Sequence, residues 1–134
     1  MIIKRTGYHI LRVSMAVTFL WIAILIVKAP LSWSGFLPPF FIDLLPIEPV
    51  MFMYFVAGFD ALLGILFLID AFVYWAGLLA ALHMIGILAV SGVDDITVRD
   101  IAIMGAGFAL FSETMPERWR EWIHAKAKPA GGRI

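Results

Sequence analysis

Two polar side chains stand where polar side chains are costly. Asp60 lies near the middle of PVMFMYFVAGFDALLGILFLI, residues 49–69, an apolar run long enough to cross a bilayer. His83 lies inside the next apolar run, residues 71–90. A carboxylate at mid-bilayer depth costs at least a few kcal/mol unless it is neutral, paired or wetted, and such acids usually mark a site. Asp60 therefore needs a partner, and an imidazole at the same depth supplies one.

Depth can be counted. If the run 49–69 descends to the cytoplasm and 71–90 returns, a rise of about 1.5 Å per residue sets Asp60 roughly 14 Å and His83 roughly 18 Å above the cytoplasmic end. The very short turn at Asp70 makes the two helices adjacent and antiparallel. Thr18 and Trp21, in the first apolar run, fall at a similar height, roughly 15–20 Å by the same rise. Arg12 lies nearer the cytoplasm, with a side chain long enough to reach toward Asp60 or down to the headgroups. The candidate ligand-binding layer is thus Asp60, His83, Trp21, Thr18 and Arg12. Arg99, Asp100 and Lys28 form a second, outer polar cluster.

Each of these has a plainer reading. Asp60 can be a hydrogen-bond pin that fixes helix register, and His83 a packing histidine. Arg12, Lys28 and Arg99 can be interface anchors. Thr97-Val-Arg-Asp100 has the spacing of a capping box opening a helix, and Thr114 with Glu117 repeats it.

The elements that must position these residues are four membrane spans, at about 8–28, 49–69, 71–90 and 98–112. Residues 1–113 would form a four-helix transmembrane domain, and 114–134 a cytoplasmic interfacial helix and tail. Lys28 and Pro30 end the first span. The connector to the second, with Pro30, Trp33, Pro38, Pro39, Phe40, Phe41 and Pro46, is too apolar for a free water loop. A short helix or re-entrant turn in the interface fits it. Small residues mark the inward faces: Ala57, Asp60 and Gly64; Ala76, Ala80, His83 and Gly86; and Ala102, Ala106 and Ala109 with Gly105. Trp119, Trp122 and Ile123 share one face of the last helix, which would rest on the membrane surface.

Composition agrees with lipid as the solvent. Of 134 residues, 63% are hydrophobic and only 15% charged, and mean hydropathy is +0.97. Soluble domains are roughly 45–50% apolar. A formal net charge of zero argues against a nucleic-acid partner. The absence of cysteine removes disulfides, iron–sulfur clusters and thiolate metal sites. His9, His83 and His124 fall at different depths, so no haem or metal site is expected within one chain. Lysine and arginine gather before the first span and after the fourth, which puts both termini in the cytoplasm.

The order of motifs resembles one family. Leu11-Arg12-Val13-Ser14-Met15-Ala16-Val17-Thr18-Phe19-Leu20-Trp21, followed by Lys28 and Pro30, is similar to the first span of DoxX-like membrane proteins. Gly58-Phe59-Asp60-Ala61-Leu62-Leu63-Gly64 resembles their second span, where the acid is commonly glutamate. Val98-Arg99-Asp100-Ile101-Ala102-Ile103-Met104-Gly105 resembles their arginine–aspartate entry to the fourth. The resemblance implies a four-helix bundle in a prokaryotic inner or plasma membrane. It also implies a small subunit of a quinone-linked redox complex, with quinone as the ligand at Asp60 and His83. Electrons would come from a partner protein. A non-enzymatic scaffold subunit, and a small transporter or lipid-handling protein working as a homo-oligomer, are the rival expectations.

Overall fold

A computed structural model describes residues 4–127, and all regular structure among them is helical. In chain order the helices are α1 (Arg5–Lys28), α2 (Pro30–Ser34), α3 (Pro39–Leu44), α4 (Pro49–Leu68), α5 (Val73–Ser91), α6 (Val98–Thr114) and α7 (Glu117–Ala127). The basic residues Lys128 and Arg133 and the expected tail lie outside the described residues.

Prolines punctuate the chain. Pro30, Pro39 and Pro49 each open a helix, where the missing N–H is no loss and the fixed φ is already helical. They divide the expected interfacial connector into two short helices, α2 and α3. Trp33 and Leu37 there, with Phe52 of α4, pack around the buried Ile26, Met53 and Ala57.

Helices α1, α4 and α5 are each long and apolar enough to cross a membrane. Only a third of each apolar window is buried, while Val17, Ile24, Phe55, Leu62, Trp75 and Leu82 stand exposed. Helices apolar on the outside as well as the inside need a lipid solvent, so this is a membrane protein. Helix α6, with 17 residues, is shorter than these three.

Packing pairs the helices differently from chain order. Helix α1 lies along α4, and α5 along α6, whereas α4 and α5 touch more sparsely. Glycines explain both close pairs. A Cβ on Gly64 would fall 2.6 Å from Cγ of Leu20, bringing α4 hard against α1. A Cβ on Gly77 would fall 2.8 Å from the Gly107 carbonyl oxygen and 2.8 Å from the Phe111 nitrogen, so α5 and α6 meet backbone to backbone. This corrects the face expected for α6: Ala102 and Gly105 are exposed, and Gly107 and Leu110 make the contact. On α4 the expected face is buried throughout at Ala57, Asp60 and Gly64.

Both expected capping boxes are replaced. The Thr97 hydroxyl donates to the Gly92 carbonyl at 2.7 Å and accepts the Asp94 N–H at 2.9 Å, so it closes the preceding turn and does not cap α6. Asp94 takes the acceptor role in that turn, receiving the N–H groups of Ile96 and Thr97, each at 2.8 Å. These two donors hold its carboxyl below the usual range. Thr114 is the last residue of α6, and its hydroxyl donates back to the Leu110 carbonyl at 2.7 Å. That carbonyl lies one turn back, within reach of a hydroxyl in the last turn.

Candidate functional site

Helix α4 presents Met53, Ala57, Asp60, Gly64 and Phe67 on one buried stripe, spaced three and four residues apart as one helical face requires. Phe67 of this stripe packs in one core with Met15, Ala16 and Phe19 of α1 and Val73, Ala76, Ala80 and Met84 of α5, while Met53 and Ala57 pack with Ile26. Asp60 is therefore held in an apolar interior, at 3% exposure. His83 reaches it from α5: Nε2 lies 3.1 Å from Oδ1 of Asp60. Neither atom touches solvent, and neither has a partner in hydrogen-bonding geometry. The two groups are in ion-pair range but off the line of a directed hydrogen bond, so each keeps bonding capacity in a medium that penalises unused capacity.

The imidazole is not wholly sealed. It is 18% exposed, and since Nε2 is enclosed, the exposure belongs to its other atoms. The ring of Phe59 meets it edge to face at 5.1 Å. One turn along α5, Gly86 is exposed with nothing within 4 Å of where a Cβ would stand. His83 thus faces Asp60 on one side and carries its exposed part on the other, with the Phe59 ring against it and open space at Gly86 one turn on.

The other expected members of the layer lie elsewhere. Arg12 is buried but turns to the C-terminal end of α4. It donates to the carbonyls of Phe67 and of Leu68, the latter at 2.9 Å, and its Nε lies 3.4 Å from Oδ1 of Asp70. A cation on the last carbonyls of a helix meets the negative end of its dipole, which outcompetes a reach of about 10 Å up to Asp60. Thr18 donates to the Ser14 carbonyl at 2.9 Å on its own helix. Trp21 is 64% exposed on the outer surface. Lys28 and Arg99 are exposed, and Arg99 donates to the Ile96 carbonyl at 3.1 Å. Asp100 is half-buried, within Coulombic range of His83 and Asp60 as well as of Arg99 and Asp94. It belongs with the buried pair more than with Lys28.

Sequence reasoning missed the clamp at the C-terminal end of α4. Tyr8 donates its hydroxyl to Oδ1 of Asp70 at 2.7 Å, beside Arg12. Asp70 and Phe72 both adopt left-handed backbone, φ 59° and 50°. Such conformations are costly for residues other than glycine, so the clamp holds a strained turn closed. The available signal was an acid in the α4–α5 turn with a tyrosine and an arginine one turn apart at the start of α1.

Among the described residues, no group of three or more histidines and carboxylates is placed to hold a metal ion. Comparisons with known protein families, with curated proteins and with solved structures find no match to this chain.

Proposed function

We propose that the chain is a small four-span membrane subunit of a quinone-linked redox complex, in which the Asp60–His83 pair receives the polar head of the ligand. The observation that carries this reading is the pair itself, a buried carboxylate and imidazole 3.1 Å apart with bonding capacity left over. The resemblance to DoxX-like proteins supports the ligand class.

The residues present suit a flat carbonyl compound from the lipid phase. The exposed edge of His83 offers a hydrogen bond, Phe59 an aromatic wall, and Gly86 the room to approach. A quinone, when bound, supplies two-electron, two-proton carrier chemistry. His83 links that edge to Asp60 through its two ring nitrogens. To donate outward, the ring needs a proton on its outer nitrogen. Either the ring is an imidazolium balanced by the Asp60 carboxylate, or Asp60 carries the proton and faces a bare Nε2. In both states one proton sits on Oδ1 or Nε2, shielded from solvent, and a small turn that brings the two atoms into line lets it be handed on through the ring. Asp60 is the charge balance and His83 the group that meets the ligand.

Helix α6 is the fourth span in this reading. Its 17 residues extend about 26 Å, a little under the hydrocarbon thickness, and Arg99 and Arg120 lie toward its two ends to snorkel. Lys4, Arg5, Arg12, Arg118, Arg120 and Lys126 then share the cytoplasmic side with both termini, against Lys28 and Arg99 outside. The setting is a prokaryotic inner or plasma membrane.

The test is mass spectrometry of the organic extract from protein purified in mild detergent. Wild type should carry quinone at stoichiometric level. Asp60→Asn, and Gly86→Leu, which fills the open space one turn from His83 and leaves the pair in place, should lose it. Phospholipid alone in all three refutes the quinone site. The enclosure of Oδ1 and Nε2 favours a second reading, a scaffold subunit whose polar pair sets helix register. In that case Asp60→Asn changes stability and leaves the function of the complex intact.

A further inference from the structure

Helix α7 carries a surface that the buried pair does not use. At 3.6 residues per turn, Trp119, Trp122, Ile123 and Lys126 share one face, with Arg118 at its edge. Glu117 and Glu121 lie on the opposite face. The three apolar side chains are 43–56% exposed. Arg118, Trp119 and Trp122 line a concave surface of about 480 Å³. Lys126 sits over the Trp122 ring, 4.2 Å from its centre.

The helix is also held at a fixed place. Arg120, on neither of these faces, donates to the carbonyls of Ser112 and Glu113 at 3.2 and 3.1 Å, tying α7 to the end of α6. The aromatic face is thus anchored beside the end of a membrane helix, with cations on it and carboxylates turned away.

We infer that this face binds the headgroups of anionic phospholipids. The argument is charge complementarity combined with ring chemistry. Indoles settle at headgroup depth, where their apolar body and N–H are both satisfied. A phosphate at the concave surface meets Arg118, whose planar fork matches phosphate oxygens, and Lys126. A zwitterionic headgroup gains little there, because its own cation opposes both side chains. The orientation follows: the side of the membrane that α7 faces is the one with anionic lipid, and the contact holds the end of α6 to that leaflet.

The experiment uses the full chain in nanodiscs containing phosphatidylcholine and phosphatidylglycerol, with one or the other brominated on its acyl chains. Tryptophan quenching is read in wild type and in Trp119→Phe/Trp122→Phe, which supplies the background from Trp21, Trp33 and Trp75. The α7 component should be quenched more strongly by brominated phosphatidylglycerol than by brominated phosphatidylcholine. Arg118→Gln and Lys126→Gln should each lower that preference, by roughly fivefold per cation removed. Glu121→Gln, on the opposite face, should leave it unchanged. These exposed positions carry no core packing, so the variants keep the fold. Equal quenching by the two lipids overturns the inference, as does a preference indifferent to both cations. An α7 component quenched by neither lipid, with a cross-linked dimer lost in the tryptophan variant, would assign the face to a second copy and overturn it too.

Discussion

The Asp60–His83 contact can be tested by replacing each partner with leucine, alone and together. His83→Leu leaves a carboxyl that is 4% exposed, with no hydrogen-bonding partner among the described residues. Arg12 gives no second compensation, because its guanidinium is held at Asp70 and the end of α4. Removing one side of a buried ion pair costs about 3–5 kcal/mol, whereas replacing both by apolar residues is often near neutral. A neutral hydrogen bond between membrane helices couples far more weakly, by about 0.6 kcal/mol on average and about 1.7 at most. The enclosure of both facing atoms places this pair with the first class. His83→Leu should therefore cost about 3 kcal/mol. Asp60→Leu should cost less, about 1–3, since the lone imidazole can stay neutral. The double variant should recover most of the loss, giving a coupling above about 2 kcal/mol. The assay is a double-mutant cycle on reversible unfolding in mixed micelles, followed by circular dichroism. A coupling under about 0.5 kcal/mol would mean that the 3.1 Å contact carries no energy, and the argument for a proton-sharing site would fall with it.

Gly77→Ala should destabilise the protein by about 1–3 kcal/mol, because its Cβ would strike backbone atoms of α6 that have no rotamer to move. Gly105→Ala, in open space on the same helix pair, should be neutral or stabilising; thermal unfolding of the two side by side decides it. Asp94, whose carboxyl is held below its ordinary value of 3.8, contributes stability that is present above that value and lost as the pH falls toward its folded value. Melting curves near neutral pH and at about pH 3 should show an acid-dependent loss in wild type that is smaller in Asp94→Asn, and equal losses would contradict the assignment. Because the chain has no cysteine, single cysteines at Thr6, Ser32, Asp95 and Ala125 report topology without background. Thr6→Cys and Ala125→Cys should label from one side and the other two from the opposite side; labelling of Thr6→Cys and Ala125→Cys from opposite sides would leave α6 outside the membrane.

The helices were legible because hydropathy and proline act locally. Runs 49–69 and 71–90 read as spans from composition alone, and Pro30, Pro39 and Pro49 each start a helix wherever the chain goes next. The meeting of Asp60 and His83 was legible for a similar reason, since height along a helix is fixed by residue count. Rotation about the helix axis is not. Thr18 and Trp21 have suitable heights but face their own helix and the outer surface. Of the two directions open to Arg12, the reach toward Asp60 loses to nearer acceptors, two helix-end carbonyls and a carboxylate. Spacing also suggested caps at Thr97 and Thr114, but a hydroxyl takes whichever acceptor the backbone brings nearest. In one case that is Gly92 and in the other Leu110. Most of all, chain order is a poor guide to packing: α4 and α5 are joined by a short turn yet pack closely with other helices.

That last point bears on how a ligand would reach the pair. Glycine contacts lock α1 to α4 and α5 to α6, so the bundle is two rigid pairs of helices meeting along a looser seam. Asp60 belongs to one pair and His83 to the other, and their contact crosses the seam. Local opening costs least where apolar contact is sparse. At the C-terminal end of α4, Tyr8, Arg12 and Asp70 tie α1 to the α4–α5 turn, so the two pairs cannot part there without breaking bonds to charged groups. At the other end the seam runs past Gly86, where the surface is open. Separation of the pairs should therefore begin from the end opposite the Asp70 clamp, hinged on the left-handed turn at Asp70 and Phe72. It would uncover Nε2 and Oδ1 from the Gly86 side before the clamped end opened.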